Sequence, residues 1–379
     1  MCPPLPPLSL YVHIPWCVKK CPYCDFNSHT REHLPVEEYL EALLADLEQD
    51  ASLAQGRTLG SIFFGGGTPS LFPARAFARV IDAADNIIGL EKNAEITIEA
   101  NPGTTEGINF SECLRAGINR VSLGLQSFND QHLSLLGRIH TGHQAENALH
   151  LARDAGFNNI NVDIMHSLPQ QSVSQALDDL QRAIDLAPEH ISWYQLTIEP
   201  NTEFYSRPPS LPAEDDQIEI IHKGQYLLND QAYQQYEVSA YAKNNQVAQH
   251  NINYWQFGDY LGIGAGAHGK ITRANQTIVR RQKTRLPEHY LDSKRPFTCA
   301  KQAVEKTQLP MEFLMNGLRL KHGVDSALFS QRTGLQLEII QPAWLRCQHK
   351  GLMQSDPNRL AASEWGYQFL NSLLAEFIN

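Results

Sequence analysis

The chain has little positive charge. Its 379 residues include 31 lysines and arginines against 41 aspartates and glutamates, for a formal net charge of -10. A protein that binds nucleic acid without sequence preference needs a cationic surface to displace counterions from phosphates. The acidic balance therefore excludes broad nucleic-acid binding, and we expect no nucleic-acid partner.

Long apolar runs and paired cysteines are also missing. No stretch approaches the ~18 uncharged apolar residues of a membrane-spanning helix, and Cys2 to Pro7 lack a basic region followed by an apolar core. We therefore expect neither export nor a membrane span, and any membrane contact would be peripheral and through a partner. The seven cysteines are an odd number, and four are scattered. Secreted disulfide frameworks use paired cysteines, so we expect a reducing, cytoplasmic location.

The remaining three cysteines are clustered. Cys17, Cys21 and Cys24 have the spacing C-x3-C-x2-C and directly follow an apolar run. Three thiolates on one short loop suffice for three corners of a cubane 4Fe–4S cluster, whereas the usual ligation takes four cysteines. The fourth iron would then be open to a substrate or cofactor. The alternative is a zinc site completed by His13 or His29, but zinc sites often use paired C-x2-C units, and the chain has no second pair.

Short apolar or β-branched runs alternate with longer stretches of helical period from residue 8 to about residue 200. The predicted strands are 8–14, 61–64, 95–100, 120–125, 160–165 and 190–196. Six such units predict an α/β fold with a partial six-unit (β/α) barrel, because right-handed crossovers place helices over the outer face of a parallel sheet. Functional residues of such barrels follow the carboxyl ends of the strands.

The pattern changes beyond about residue 200. We predict the barrel over 1–200, an extension over 201–305 with a helix near 215–233 and an irregular aromatic-rich part, and a C-terminal domain over 306–379. The last is mostly helical and winged-helix-like, with a β-hairpin expected at 350–361. Many such domains bind DNA, but this segment has little excess basic charge, so we expect a packing or lid role.

Glycines and polar residues fall at the predicted strand ends. Gly65, Gly66 and Gly67, followed by Thr68, come after the second strand, and glycine lets the backbone approach a charged ligand closely. Glu99 ends the third strand and can accept hydrogen bonds from hydroxyl or ammonium groups. The alternatives are an ordinary turn and a surface salt bridge.

Three further polar residues are weaker candidates when each is taken alone. Gln126 lies just past the fourth strand, Asp163 lies inside the fifth, and Arg138 lies between them. Most such side chains are exposed and have no function. Their interest comes from their predicted places in the barrel.

The segment from His250 to Trp255 is a second motif. Histidine is a common axial ligand of haem iron, and nearby Tyr and Trp rings can cover a porphyrin face. The alternative is a histidine that is hydrogen-bonded among core aromatic residues. The residues alone leave both interpretations open.

The loop Cys17-x3-Cys21-x-Tyr23-Cys24 resembles the signature of the radical SAM superfamily. This resemblance implies that the open iron of a 4Fe–4S cluster binds S-adenosylmethionine (SAM), and that the glycine segment binds its amino group. It implies that the following residues line the SAM region: Tyr11, Tyr23, Gly66, Gly67, Thr68 and Glu99, with Gln126, Arg138 and Asp163 nearby. In the family some of these belong to a second SAM site.

Over nearly the whole chain, the sequence resembles the family that contains oxygen-independent coproporphyrinogen III dehydrogenase and a related haem chaperone. The dehydrogenase has a fourth cysteine where this chain has Phe26, and an N-terminal extension where about seven residues precede Leu8 here. The chaperone's haem motif, His-Asn-x-x-Tyr-Trp, is matched in full. The resemblance thus implies haem binding through His250, Asn251, Tyr254 and Trp255.

We therefore expect a haem chaperone that binds a cluster, SAM and haem. It would deliver haem to apo-haemoproteins such as respiratory-chain subunits, without catalytic residues for coproporphyrinogen oxidation. The first alternative is the dehydrogenase itself, which uses the same cluster and SAM. The second is an iron–sulfur DNA-binding sensor, which predicts a basic recognition helix, but the helix after Ser363 contains no Lys or Arg.

Overall fold

Six apolar segments form parallel strands in the computed structural model, which describes residues 4–104 and 109–378. They are β1 (Leu8–Ile14), β2 (Leu59–Gly66), β3 (Leu90–Ala100), β4 (Arg120–Gln126), β5 (Ile160–His166) and β6 (His190–Gln195). Each is parallel to the next in chain order. Side chains on both faces of β1 are buried, as is typical of a parallel strand covered by helices. The predicted α/β fold with a six-unit parallel sheet is confirmed.

The sheet continues beyond both edges of this parallel core. The added strands are β7 (Gln234–Glu237), β8 (Ala240–Ala242), β9 (Asp259–Ile263), β10 (His268–Thr272), β11 (Ile278–Lys283) and β12 (Thr298–Ala303). The order is β12-β11-β10-β9-β1-β2-β3-β4-β5-β6-β8-β7, and β9 is parallel to β1 while β10 to β12 are antiparallel. The expectation of an irregular stretch was therefore wrong here: this region extends the sheet next to β1.

Helices follow most of the parallel strands and cover the sheet. Those of the first part are α1 (Val36–Asp50), α2 (Ala74–Ile87), α3 (Phe110–Arg115), α4 (Asp130–Leu135), α5 (Gly142–Asp154), α6 (Val173–Asp185), α7 (Glu203–Ser206) and α8 (Glu214–Asp230). Helix α5 begins with a capping box in which Thr141 and Gln144 bond each other's backbone amides. Helix α1 buries Leu40, Leu43 and Leu47, the face that its period predicts.

The remaining helices lie in the last third of the chain. They are α9 (Gln249–Trp255), α10 (Pro287–Leu291), α11 (Leu309–Gly317), α12 (Ser326–Thr333), α13 (Gln341–His349), α14 (Glu364–Gln368) and α15 (Leu370–Ala375). Within the described ranges, no helix is long and apolar enough to cross a bilayer.

The C-terminal helices surround their own hydrophobic core, and the predicted hairpin there is only partly present. One bridge joins Met353 to Ala362, but Arg359–Leu360 pairs with Val324–Asp325. This second core also contains Phe257, which precedes β9. The C-terminal part therefore packs directly on the strands beside it, and the boundaries at 200 and 305 stay predictions.

Candidate functional site

The three clustered cysteines lie on the loop that leaves the carboxyl end of β1. Cys17 ends a two-residue strand that pairs with His29–Thr30 and closes the base of the loop. The amide of Cys24 donates to the carbonyl of Cys21 at 3.1 Å, which turns the chain between them. Burial raises the pKa of the Cys17 and Cys24 thiols. The positive charge of a bound metal centre would offset this effect of burial and favour the thiolates.

The thiols are not arranged around one ion. Within residues 4–104 and 109–378, no three His, Cys, Asp or Glu side chains form a group that could hold a metal ion. His13 cannot complete a zinc site as it stands, because its ring nitrogens lie 2.9 Å from the Tyr11 hydroxyl and 2.9 Å from the Asn27 carbonyl oxygen. A cubane presents its irons at separate corners, so its ligands need not converge. The three thiols are therefore compatible with the separate corners of a cluster.

A cavity of about 290 Å³ opens beside the cysteine loop, and we call it the cluster-side cavity. It lies at the carboxyl ends of β2 to β5, where barrels of this type place their functional residues. The predicted residues on its wall are Cys17, Cys21, Tyr23, Cys24, Gly66, Gly67, Thr68, Glu99, Gln126, Arg138 and Asp163. The structure thus brings eleven of the predicted residues together, although they come from six separate segments.

The glycines after β2 are required by close contacts within the protein. Gly66 has a φ of 116°, and a Cβ there would lie 2.6 Å from the His13 ring. A Cβ on Gly67 would lie 2.5 Å from the carbonyl oxygen of Trp16. The same carbonyl accepts a hydrogen bond from the Thr68 amide at 2.7 Å. The glycines therefore hold this segment against the start of the cysteine loop, which an ordinary turn would not require.

Glu99 faces the cavity from β3. Its Oε2 accepts a hydrogen bond from the Gly66 amide at 3.1 Å, and no Lys or Arg forms an ion pair with it in the described part of the chain. Burial, with repulsion from Asp163, raises the pKa of Glu99 to about 8. The surface salt bridge that the sequence left open is therefore not formed, and Glu99 is largely protonated at neutral pH.

Gln126 and Asp163 are held by neighbouring strands. Gln126 adopts a left-handed backbone, with a φ of 70°, and its side chain accepts a 2.7 Å hydrogen bond from the Tyr194 hydroxyl. Left-handed backbone in a residue other than glycine costs energy and is concentrated at functional sites. Asp163 accepts hydrogen bonds from Ser122 and Asn161 at 3.0 and 2.9 Å, and burial raises its pKa.

Arg138 reaches the cysteine loop from the segment after α4. Its Nη2 donates to the Gly124 carbonyl at 2.7 Å, and its Nη1 lies 3.8 Å from Cys21 Sγ. Its Nε is buried and has no hydrogen-bond partner among the described residues. A buried donor without a partner is costly, so a bound carboxylate or other acceptor would stabilise this arrangement.

A second cavity of about 550 Å³ adjoins the first, and we call it the outer cavity. The two cavities share Phe26, Gly66 and Glu99 on their walls. Tyr11, which was predicted beside SAM, lines the outer cavity and is absent from the wall of the cluster-side cavity. Phe26 is 60% exposed at their common edge.

Several residues of the outer cavity were missed by sequence reasoning. They are His13, Asp25, Asn27, Tyr260, Gly266, His268, Gln282 and Arg285. Most of them come from β9 to β11 or the loops beside these strands, the stretch that was expected to be irregular. The signal available was the apolar run that becomes β9, but nothing in the sequence shows that it pairs with β1.

The structure does not bring His250 to either cavity. His250 lies on α9 and is 2% exposed. Its Nδ1 is 2.9 Å from the Ser61 hydroxyl and its Nε2 is 2.8 Å from the Tyr254 hydroxyl. Burial lowers the pKa of His250 to about 3, so the ring is neutral. Of the two interpretations of this motif, the geometry matches the histidine hydrogen-bonded among aromatic residues.

The other residues of the motif point in different directions. Tyr254 lines both the outer cavity and a smaller cavity on the side of the C-terminal helices. Trp255 lines the smaller cavity but not the outer one, and Arg319 lies over its ring. Asn251 lines neither the cluster-side nor the outer cavity. Asn253, which was not predicted as a site residue, instead donates to Ser9 and to the Asp259 carbonyl at 2.9 and 2.8 Å.

Two protein-family models match separate parts of the chain. Residues 11–183 match the radical SAM superfamily, and residues 304–369 match the HemN C-terminal domain. The structure is similar to that of coproporphyrinogen III oxidase (HemN) from Escherichia coli, with a TM-score of 0.80, 22% identity, and coverage of 98% of this chain and 90% of that chain. At that identity the likeness shows the fold alone.

Full-length relatives identify the family. The chain is 48% identical to the heme chaperone HemW of Escherichia coli strain K12 over 375 residues, covering 99% of each chain. It is 47% identical to the heme chaperone HemW of Haemophilus influenzae, again with 99% coverage of each. Identity to the mitochondrial radical S-adenosyl methionine domain-containing protein 1 of Bos taurus is 33%, over 98% of this chain and 87% of that one. The chain therefore belongs to the HemW family of the radical SAM superfamily.

Membership of this superfamily implies a 4Fe–4S cluster and SAM. The cluster-side cavity fits both, because it joins three thiols to a glycine-lined wall, a carboxyl group and a buried arginine donor. The cluster supplies reducing power and an open iron when bound. The protein's own residues would hold and orient the bound cofactor, with Arg138 available to an anionic group and Glu99 to hydroxyl or ammonium groups.

Proposed function

We propose that this protein is a haem chaperone. It holds a 4Fe–4S cluster through Cys17, Cys21 and Cys24, binds SAM in the cluster-side cavity, binds haem, and delivers the haem to apo-haemoproteins such as respiratory-chain subunits. The full-length similarity to proteins named heme chaperone supports this function. We further propose that it acts in the cytoplasm, with any membrane contact made through its partners.

The observation that carries the proposal is the outer cavity. Its volume of about 550 Å³ is within the usual range for ligand pockets, and Tyr11, Tyr254 and Tyr260 give it aromatic walls. It adjoins the cavity assigned to the cluster and SAM and shares Gly66 and Glu99 with it, but its other walls come mainly from β1 and from β9 to β11. The chain thus has room for a large, flat, partly apolar ligand beside the cofactor site.

Phe26 favours transfer of haem over porphyrinogen oxidation. By resemblance, the dehydrogenase has a cysteine at this position, two residues after Cys24. An exposed aromatic ring cannot replace a thiolate as a metal ligand, and it offers an apolar contact at the edge of both cavities. We therefore expect no coproporphyrinogen dehydrogenase activity.

One anaerobic preparation tests the proposal. The cluster is reconstituted, haem is added in steps, and the same sample is incubated with SAM and coproporphyrinogen III. We expect stoichiometric haem binding, transfer of the haem to a purified apo-haemoprotein, and no protoporphyrinogen. Formation of protoporphyrinogen would establish the dehydrogenase instead, and failure to bind haem would exclude the chaperone.

Cysteine variants test the cluster assignment in the same experiment. We expect Cys21→Ala to lose the visible absorption of the reconstituted cluster, because two thiolates cannot hold a cubane that normally needs three or four. Cys299→Ala is the matched control, since Cys299 is an exposed cysteine on β12, outside both cavities. Equal iron content in the two variants would contradict the assignment of Cys21 as a ligand.

A further inference from the structure

We propose that the outer cavity is the haem site and that His268, in place of His250, supplies the protein ligand to the haem iron. The inference rests on the proposed function, since it requires that the protein bind haem. It departs from the family's sequence motif, which points to His250. It is based on which ring nitrogens of the histidines around the cavity are already hydrogen-bonded.

Among the described residues, His13 and His268 line the outer cavity and His250 lies behind its wall, and both His13 and His250 are already engaged. His250 has hydrogen bonds at both ring nitrogens and is buried behind Tyr254. His13 lines the cavity, but its Nδ1 faces the Tyr11 hydroxyl and its Nε2 the Asn27 carbonyl oxygen, each at 2.9 Å. Either ring would have to break a buried hydrogen bond before it could bind iron, which opposes ligation.

His268 has no such obstacle. It lies at the start of β10, lines the outer cavity and is exposed. No hydrogen bond or ion pair reaches its ring from residues 4–104 or 109–378, so both nitrogens are available. Partial burial and the charge of Arg280 lower its pKa, which favours the neutral imidazole that binds metals.

The rest of the wall suits a porphyrin with propionate groups. The rings of Tyr254 and Tyr260 meet edge to face, with their centroids 4.5 Å apart, and give the cavity a rigid aromatic side. Arg285 lines the cavity and is exposed, and in the described part of the chain its guanidinium is engaged only at Nε, by the Asn27 side chain at 3.2 Å. Its two terminal nitrogens are therefore available to bind a carboxylate. A guanidinium group binds a carboxylate most strongly when it makes two parallel hydrogen bonds to it.

His250 then has a positioning role. Its Nε2 is 2.8 Å from the Tyr254 hydroxyl, while its Nδ1 is bonded to Ser61 on β2. This chain of hydrogen bonds ties the Tyr254 ring, which forms the cavity wall, to the parallel sheet. The motif would thus shape the haem site without ligating the iron, and its replacement would weaken binding without changing the ligand.

Haem titration of variants, read by visible absorption and resonance Raman spectroscopy, tests the assignment. The full-length reconstituted protein is compared with His268→Ala, His250→Gln and the control His143→Ala, an exposed histidine on α5 outside both cavities. We expect His268→Ala to lose the iron–histidine vibration and to bind haem at least about 10-fold more weakly, as loss of even an outer-shell metal partner does. Added imidazole should restore the vibration. His250→Gln and His143→Ala should keep it.

Each outcome decides between the assignments. Wild-type affinity and an unchanged spectrum in His268→Ala would overturn the inference while leaving the proposed function intact. Loss of the vibration in a folded, cluster-loaded His250→Gln would return the ligand to His250. If that variant does not fold, Tyr254→Phe removes only the hydroxyl bonded to His250 and should keep the vibration. A wild-type protein that binds no haem would overturn the proposed function itself.

Discussion

Glu99 lies on the wall that the two cavities share, so its charge affects ligands in both. It faces both cavities, and among the described residues its side chain is hydrogen-bonded by a backbone amide and not by a cation. The raised pKa means that the folded protein holds a proton there at neutral pH. A ligand that supplies positive charge would release this proton, because opposite charge favours the ionised carboxylate.

The stability of the cofactor-free protein should therefore depend on pH through Glu99. The unfolded chain loses this proton near the ordinary pKa of 4.5, and the folded chain retains it up to about 8. The contribution of Glu99 to stability thus declines as pH rises between these values and is constant above 8. We expect Glu99→Gln to gain stability relative to wild type between pH 5 and pH 8, by on the order of 1–3 kcal/mol. Denaturant unfolding at several pH values measures it.

Glu91→Gln is the control for this prediction, because Glu91 is exposed at the other end of the same strand, β3. The Glu91→Gln difference from wild type at each pH is the reference for the Glu99→Gln difference. A Glu99→Gln difference that follows this reference at every pH would show that the folded state does not hold the proton.

At the residue scale, the sequence predicted which residues form the site better than it predicted which residues contact each other. The cysteines and the glycines could be found from spacing alone, and eleven predicted residues line one cavity. The partner of His250 could not be found, because Ser61 is 189 residues away in the chain and only the pairing of strands brings it near. His268 carries no pattern of its own.

At the scale of elements, the end of β2 and the start of the cysteine loop form one unit. Gly67 and Thr68 lie against Trp16, and Thr68 bonds the carbonyl of Trp16. The position of the loop is therefore set by backbone contact with the second strand. A side chain at Gly67 would clash with the backbone of Trp16, which cannot move aside by changing rotamer as a side chain can.

We expect Gly67→Ala to destabilise the protein by about 1–3 kcal/mol, the usual cost of overpacking, and to impair cluster reconstitution. The new Cβ would lie 2.5 Å from the Trp16 carbonyl oxygen. Gly60→Ala on β2, the strand that precedes Gly67, is the control, since its Cβ would be 3.6 Å from the nearest atom, in the flexible Glu91 side chain. Denaturant unfolding and iron content distinguish the two. Similar results for both variants would contradict the argument.

Which elements could be predicted depended on how they are buried. The parallel strands were predictable because burial on both faces gives apolar runs such as β1. Strand β12 was not, since all but one of its residues are exposed and its sequence, TCAKQA, has no apolar alternation. The first residue of β9, Asp259, is a buried carboxylate paired with Arg57 and Lys270. A charged residue in a sequence ordinarily indicates the protein surface, so Asp259 did not predict a buried strand.

At the scale of the whole molecule, the C-terminal helices are joined to the sheet by a polar contact as well as by apolar packing. Arg319 follows α11, forms a 3.1 Å ion pair with buried Glu237 of β7, and lies over the Trp255 ring at 4.3 Å. Leu320 forms a bridge with the same glutamate. One side chain therefore connects three parts of the chain.

Removal of that side chain should weaken the junction. We expect Arg319→Ala to lower the free energy of unfolding by about 1–3 kcal/mol, because it leaves the Glu237 carboxylate buried without its cation. Lys350→Ala is the control, since its ion pair with Glu376 is solvent-exposed on the lysine side, and it should cost less than about 1 kcal/mol. Equal losses in chemical denaturation would show that the junction relies on apolar packing alone.

Glu99 lies on the wall shared by the outer and cluster-side cavities, so the affinity for a ligand in one cavity depends on the ligand bound in the other. A cationic ligand beside the cysteines favours the ionised form of Glu99, and that negative charge disfavours an anionic ligand on the other side. Reciprocity requires the anionic ligand to weaken binding of the cation by the same factor. The ionisation of Glu99 therefore contributes a negative coupling between the two cavities, which opposes the direct attraction between a cation in one and an anion in the other.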